Sequence, residues 1–159
     1  MRTFIAAACV LPLVLAGQST IFKHGAESTV RAAYQADQPG IEAKNGGVIA
    51  DPSLRARFFS RSLLRAIDFD ARADGETSAP ILGDPFGDHA PHLVDLGIFP
   101  VSESGGSAKV LAEFARGDGA RERLTYDMVF ERGEWRIDDI AYVMLDGEGH
   151  TLRKDLRAE

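Results

Sequence analysis

The second half of the chain alternates apolar and polar residues with a period of two, which sets one side of a strand against a core. RERLTYDMVFE is the clearest case: Leu124, Tyr126, Met128 and Phe130 fall on one side, with Arg123, Thr125 and Asp127 on the other. SAKVLAEFAR repeats the pattern with Val110, Ala112 and Phe114 against Lys109 and Glu113, and Leu111 fits it less well. LVDLGIFPV puts Val94, Leu96 and Ile98 on one face, and Pro100 predicts an edge strand or a bulge there. WRIDDIAYVML returns with Trp135 and Ile137 inward. GDG at 117–119 and RGE at 132–134 read as hairpin turns between these strands.

The first half has the helical period instead. AESTVRAAYQAD places Val30, Ala33 and Tyr34 on one face, and QPG at 38–40 predicts the end of that helix, followed by a loop, IEAKNGGVIA. A second helix is expected from Asp51-Pro52 to about Phe69. Its carboxylate can accept N-terminal amides, and proline at the first helical position loses no hydrogen bond. Phe59, Leu63, Ala66 and Ile67 form its apolar face, with Leu54 and Phe58 beside it. The tail DGEGHTLRKDLRAE lacks an apolar stripe and predicts a frayed or short helical end. Helices first and an antiparallel meander after them make an α+β fold, with amphipathic helices on one face of a sheet.

The N-terminus changes the picture of where such a domain resides. MRTFIAAACVLPLVLAG has one basic residue, Arg2, and then an uncharged run to about Gly17, shorter than the roughly 20 apolar residues a spanning helix needs. It reads as a secretory signal peptide over residues 1–17, cleaved after Ala16 or Gly17, with one α+β domain over 18–159 and its core at about 24–145. Gln18 stands where a lipoprotein signal would carry its cysteine, so no membrane anchor is expected after cleavage. Cys9, the only cysteine, leaves with the signal, so no disulfide and no Cys-ligated metal is expected in the exported domain. A net charge of −6, moving to about −7 with the loss of Arg2, disfavours nucleic acid and anionic membrane surfaces as partners.

Three features together resemble the nuclear-transport-factor-2-like superfamily: the early helix with Tyr34, the hairpin of two long late strands, and the ending GEWRIDDIAYV. The segment LGDPFGD, between the second helix and the sheet, is similar to the Asp-Pro-Phe element of a family of exported bacterial proteins, domain of unknown function 3828. The resemblance covers about residues 24–145. It implies a curved antiparallel sheet folded round helices as an open cone, a periplasmic or secreted binding or accessory domain, and no catalytic residues to carry over. Domains of that superfamily often pair through the open sheet face, which makes a homodimer an expectation.

The stretch ILGDPFGDHAPH holds most of the candidate chemistry. Asp84, Asp88, His89, His92 and Asp95 are a reasonable donor set for a divalent ion. However, Pro91 keeps His89 and His92 off a common helical face, and the carboxylate spacing is not that of a calcium loop. No metal and no cofactor is therefore expected, and Asp146, Glu148 and His150 are too loosely spaced to change that. The structural reading makes Asp84 the acceptor of an Asx turn before Pro85 and Phe86 a plug into the core, with Gly83 and Gly87 giving backbone freedom. Asp84, Pro85, Phe86, Asp88 and His89 then form a loop that closes one end of the cone or lines a pocket.

Strict alternation points Asp139 inward beside Trp135 and Ile137, where Tyr126 and Tyr34 would complete an acid–base and phenol set for isomerase or dehydratase chemistry. A bulge at Asp138–Asp139 would turn both carboxylates outward and let Ile137 and Ile140 share the inner face. Arg57, Arg61 and Arg65 recur at four-residue spacing and form either an anion- or partner-binding face or a solvated one. The leading expectation is an exported, non-enzymatic module that binds a small ligand or an envelope protein. A small enzyme using the cone cavity and an inhibitor or immunity protein are the alternatives.

Overall fold

The computed structural model describes residues 25–43, 46–73, 84–87, 93–117, 119–142 and 149–156. The expected leader with Cys9 lies outside these residues, as do Asp88, His89, His92, Asp146 and Glu148. Helix α1 (Ala26–Glu42) buries Ala26, Val30, Ala33, Tyr34, Asp37 and Ile41, a stripe at helical spacing. It does not end at QPG as expected but runs through Pro39. That proline costs one backbone hydrogen bond. Burial of Ile41 and the bond from the Ala43 amide to the Pro39 carbonyl hold the turn beyond it.

A single turn, α2 (Gly47–Ala50), then occupies part of the expected loop, and Asp51 opens α3 (Pro52–Phe58). The Asp51 carboxylate accepts from the amides of Ser53 and Leu54 at 2.7 and 3.1 Å, the cap expected of Asp-Pro. The long second helix is, however, two helices. At Phe59 the backbone is extended and bridges to Ile137, and the Ser60 amide donates to the Ile137 carbonyl at 2.8 Å. Ser60 Oγ then accepts from the Leu63 amide and starts α4 (Arg61–Ala73). The apolar spacing survives the break, because Phe58, Phe59, Leu63 and Ile67 are all buried.

The strands β1 (Val94–Ser104), β2 (Ser107–Ala115), β3 (Arg121–Glu131), β4 (Glu134–Tyr142) and β5 (His150–Thr151) pair in sequential order. The result is a curved, unclosed, antiparallel five-stranded sheet that follows the helices, an α+β fold. The β3–β4 turn has left-handed backbone at Arg132 and Gly133, the conformation that matches the twist of a two-residue hairpin. β2 and β3 bury the expected residues, with Phe130 only partly covered.

β1 departs from its pattern. Asp95 adopts φ 56° within a register shift between Val94 and Gly97, so Val94 is exposed, Leu96 half-buried and only Ile98 fully inward. A second shift falls between Pro100 and Ser102 on this edge strand, where proline loses nothing.

β4 carries the bulge that decides the placement of its two carboxylates. Asp127 pairs with Asp139 while Met128 pairs with Ile137, leaving Asp138 as the extra residue. Ile137 and Ile140 are both fully buried, and Asp139 takes the outer side instead of joining Trp135 inside. The tail fastens this bulge. After β5, helix α5 (Leu152–Asp155) buries Leu152, and Leu156 is buried just beyond it, so the tail is docked rather than frayed. Arg153 donates to the Asp138 carbonyl and carboxylate, each at 2.7 Å, and its amide donates to Asp139 Oδ1 at 3.0 Å. Asp138 Oδ1 also accepts from Ser60 Oγ at 2.5 Å, tying the helical break, the bulge and the tail into one network. Among the described residues no helix is long and apolar enough to cross a membrane.

Replacing Arg153 by Ala removes two charge-assisted hydrogen bonds at a largely covered site and is expected to cost about 2 kcal/mol in denaturant unfolding. A loss within experimental error would show that α5 docks without this network.

Candidate functional site

The Asp84–Gly87 turn is built as its residue types demand. Asp84 Oδ1 accepts from the Phe86 amide at 2.8 Å, an Asx turn, and the Gly87 amide reaches the Asp84 carbonyl at 3.4 Å. All four residues are buried, and Phe86 is fully so. Its ring lies nearly parallel to Phe59 and Tyr126, with centroids 6.1 and 6.2 Å away, and meets Tyr34 edge-on at 5.5 Å. Tyr34 also meets Phe114 and Tyr126 edge-on. The Tyr142 hydroxyl donates to the Pro85 carbonyl at 3.4 Å from the sheet side. Phe86 is therefore the plug that its sequence context suggests.

The structure brings Tyr34 and Tyr126 together, as expected of a shared interior. The Tyr126 hydroxyl donates to that of Tyr34 at 2.8 Å. Burial pushes both phenols well above their ordinary range, so both stay protonated at any working pH. Asp139 does not join them. It is half-buried on the outer side, held by the amides of Ile140 and Arg153.

Two buried acids lie near the phenols: Asp84, whose charge acts on both, and Asp37, whose charge acts on Tyr34 and which the residue pattern did not single out. Asp37 is 1% exposed, and its Oδ1 accepts from the Val48 amide at 2.7 Å. Its Oδ2 has no hydrogen-bond partner among the described residues, and the Asp84 carboxylate is near enough for its charge to act on the group. Two buried carboxyls near each other disfavour both being charged. Burial first, and then the Asp84 charge, lift Asp37 to about 7. Gly47 makes the arrangement possible. It has φ 58°, and a side chain there would place Cβ 2.2 Å from Asp37 Oδ1. The available signal was spacing: Asp37 sits three residues after Tyr34 and seven after Val30, on the buried stripe of α1.

The arginine row does not survive the helical break. Arg57 belongs to α3 and lies over the Phe58 ring at 5.0 Å, whereas Arg61 and Arg65 belong to α4. Arg61 reaches Glu131 at 3.6 Å. His150 packs on Tyr142 and meets Asp155 at 2.7 Å, an arrangement within the tail. Among the described residues there is no cluster of three metal-ligating side chains.

No known protein family, curated protein or solved structure matches the chain.

Chemically, the interior is an aromatic cluster with two buried acids, Asp37 and Asp84, near it. Ser60 and the two acids Asp37 and Asp84 are its only fully buried polar or charged residues among those described, and each has a structural partner. Phe86→Ala should cost about 3–5 kcal/mol in stability, as expected for emptying a fully buried aromatic site, and Phe86→Leu clearly less. Equal tolerance of both substitutions in chemical unfolding would contradict the plug.

Asp37 yields a pH prediction. Its folded-state value lies above its unfolded one, so between about pH 4 and 7 the unfolded chain releases this proton while the folded chain keeps it. This group therefore lowers stability as pH rises through that window and has no further effect above it. Asp37→Asn should flatten that slope and stabilise the protein at pH 8 by on the order of 1–2 kcal/mol. An unchanged slope in the variant would show that Asp37 does not keep its proton in the folded chain across that window.

Proposed function

We propose that this is a non-enzymatic binding module of the bacterial envelope, exported by its N-terminal signal and built as a cone of the nuclear-transport-factor-2-like type. The observation that carries the reading is the filled interior. Tyr34, Phe59, Leu63, Phe86, Phe114, Tyr126 and Trp135 are each at most 1% exposed, where an enzyme of this shape would keep a polar pocket. The relatedness to the exported family numbered 3828 rests on the Asp-Pro-Phe element, whose aspartate and phenylalanine here serve the turn and the plug. The negative net charge favours small ligands or proteins over nucleic acid as partners.

An enzymatic reading has one observation in its favour, the protonatable Asp37 near Tyr34, whose hydroxyl is bonded to that of Tyr126. Against it, Asp37 and the Tyr34 and Tyr126 rings are closed off from solvent, so substrate would have to displace the Phe86 plug.

Expression of the full chain with a C-terminal tag in a Gram-negative host should give a periplasmic product whose mass corresponds to cleavage after Ala16 or Gly17. The same product should show no turnover of unsaturated or keto substrates that depends on Tyr126 or Asp139. Retention of the uncleaved chain in the cytoplasm would contradict export, and turnover lost in Tyr126→Phe would contradict a binding role.

A further inference from the structure

β1 is the outer strand of the sheet: β2 pairs with one side of it, and among the described residues no strand pairs with the other. Four large apolar side chains are exposed among the described residues, and three of them lie on this strand, Val94 and Phe99 at 48% and Val101 at 58%. The Phe99 ring takes the place of a side chain at Gly97, where a Cβ would come within 2.7 Å of it. The ring therefore lies along the strand as a fixed apolar ledge. β1 also carries two exposed acids, Asp95 and Glu103, and no base. Neither acid has an ion-pair partner among the described residues. The one base of β2, Lys109 opposite Ser102, is engaged by Asp127.

An open edge invites another strand, and proteins guard such edges with bulges, proline and charge. The two register shifts and Pro100 bend β1 and remove one donor, which disfavours open-ended stacking of flat strands. A second copy of β1 would bring two more acids and no base, so self-pairing sets like charges together. The edge thus selects a strand of opposite charge. We propose that β1 takes up an extended segment of a partner protein by strand addition, a segment with apolar residues at its centre and a lysine or arginine towards each end. Main-chain hydrogen bonds supply the affinity, while Phe99, Val101 and the two acids supply the selection. Val94 to Glu103 is matched on β2 by Ala115 to Ala108, so at the rise of a strand the acids stand about 20 Å apart and the two bases about six residues apart. This inference rests on the reading of the protein as a binding module and gives that module a partner class and a location.

The probe is the peptide Lys-Val-Thr-Ile-Thr-Val-Lys, acetylated, amidated and carrying a fluorophore, titrated into the purified protein. Its polarisation should rise saturably, while the same peptide with glutamate for lysine should not bind. The lysine peptide N-methylated at its five central residues keeps every side chain but cannot pair as a strand, and it should not bind either. Val101→Lys, at an exposed position, should abolish binding without lowering the unfolding temperature. Asp95→Asn combined with Glu103→Gln should weaken binding about tenfold and flatten its salt dependence; asparagine tolerates the left-handed backbone of Asp95. No saturable binding, equal binding of the glutamate or N-methylated peptide, or an unaffected Val101→Lys variant would each overturn the proposal. So would a protein dimer that Val101→Lys dissociates, because a second copy would then hold the edge. Failure here would leave the non-enzymatic reading standing, whereas Tyr126-dependent turnover would overturn that reading and leave the edge untouched.

Discussion

Phe86 enters the protein between two other rings, and the placement of helices and sheet around it follows from that insertion. Phe59 comes from the break between α3 and α4, Tyr126 from the middle of β3, and Tyr34 from α1. One side chain on a short turn therefore holds three elements that are distant in sequence. The turn can carry it because Asp84 satisfies the Phe86 amide internally, which removes the cost of burying an unpaired donor. Closing the interior in this way displaces any binding function to the outside of the molecule.

The polar cost of that closure falls on Asp37 and Asp84. Placing two carboxyls near each other in a buried site is unfavourable for the charged forms, and protonation of Asp37 offsets it. Asp37 also ties α1 to the start of α2 through Val48. Asp37 is thereby a link between two helices, and its titration bears on folding stability. A hydrogen-bond network at β4 joins Ser60, Asp138 and Arg153. Beside this network, the pairing of Phe59 and the Ser60 amide with Ile137 holds the helical break in register with the sheet.

Much of this was legible in the residues. Strict alternation located β2 and β3, because a half-buried strand in an antiparallel sheet leaves no freedom over which face is apolar. Asp-Pro marked the cap of α3, and Asp-Pro-Phe marked the plug. Other features were hidden because local patterns do not distinguish them. The apolar spacing across Phe58–Leu63 is the same for one helix as for two, and only the pairing of Phe59 with Ile137 breaks it. Pro39 signalled a stop that burial of Ile41 overrode. In Ile-Asp-Asp-Ile the demand of two isoleucines for the core outweighed strict alternation, which moved Asp139 off the inner face. Asp37 went unnoticed because a carboxylate on an apolar stripe has no local signature; its partner lies 47 residues away in sequence.

The interior is a packed aromatic cluster sealed by Phe86. Proton NMR tests this most directly through the hydroxyl hydrogens of Tyr34 and Tyr126. In a sealed cluster these protons exchange with water slowly enough to be seen as separate resonances, with cross-relaxation to the Phe86 ring and none to bulk water. Hydroxyl signals lost to rapid exchange, or strong cross-relaxation from Tyr126 to water, would show an open and wetted cavity and contradict the account.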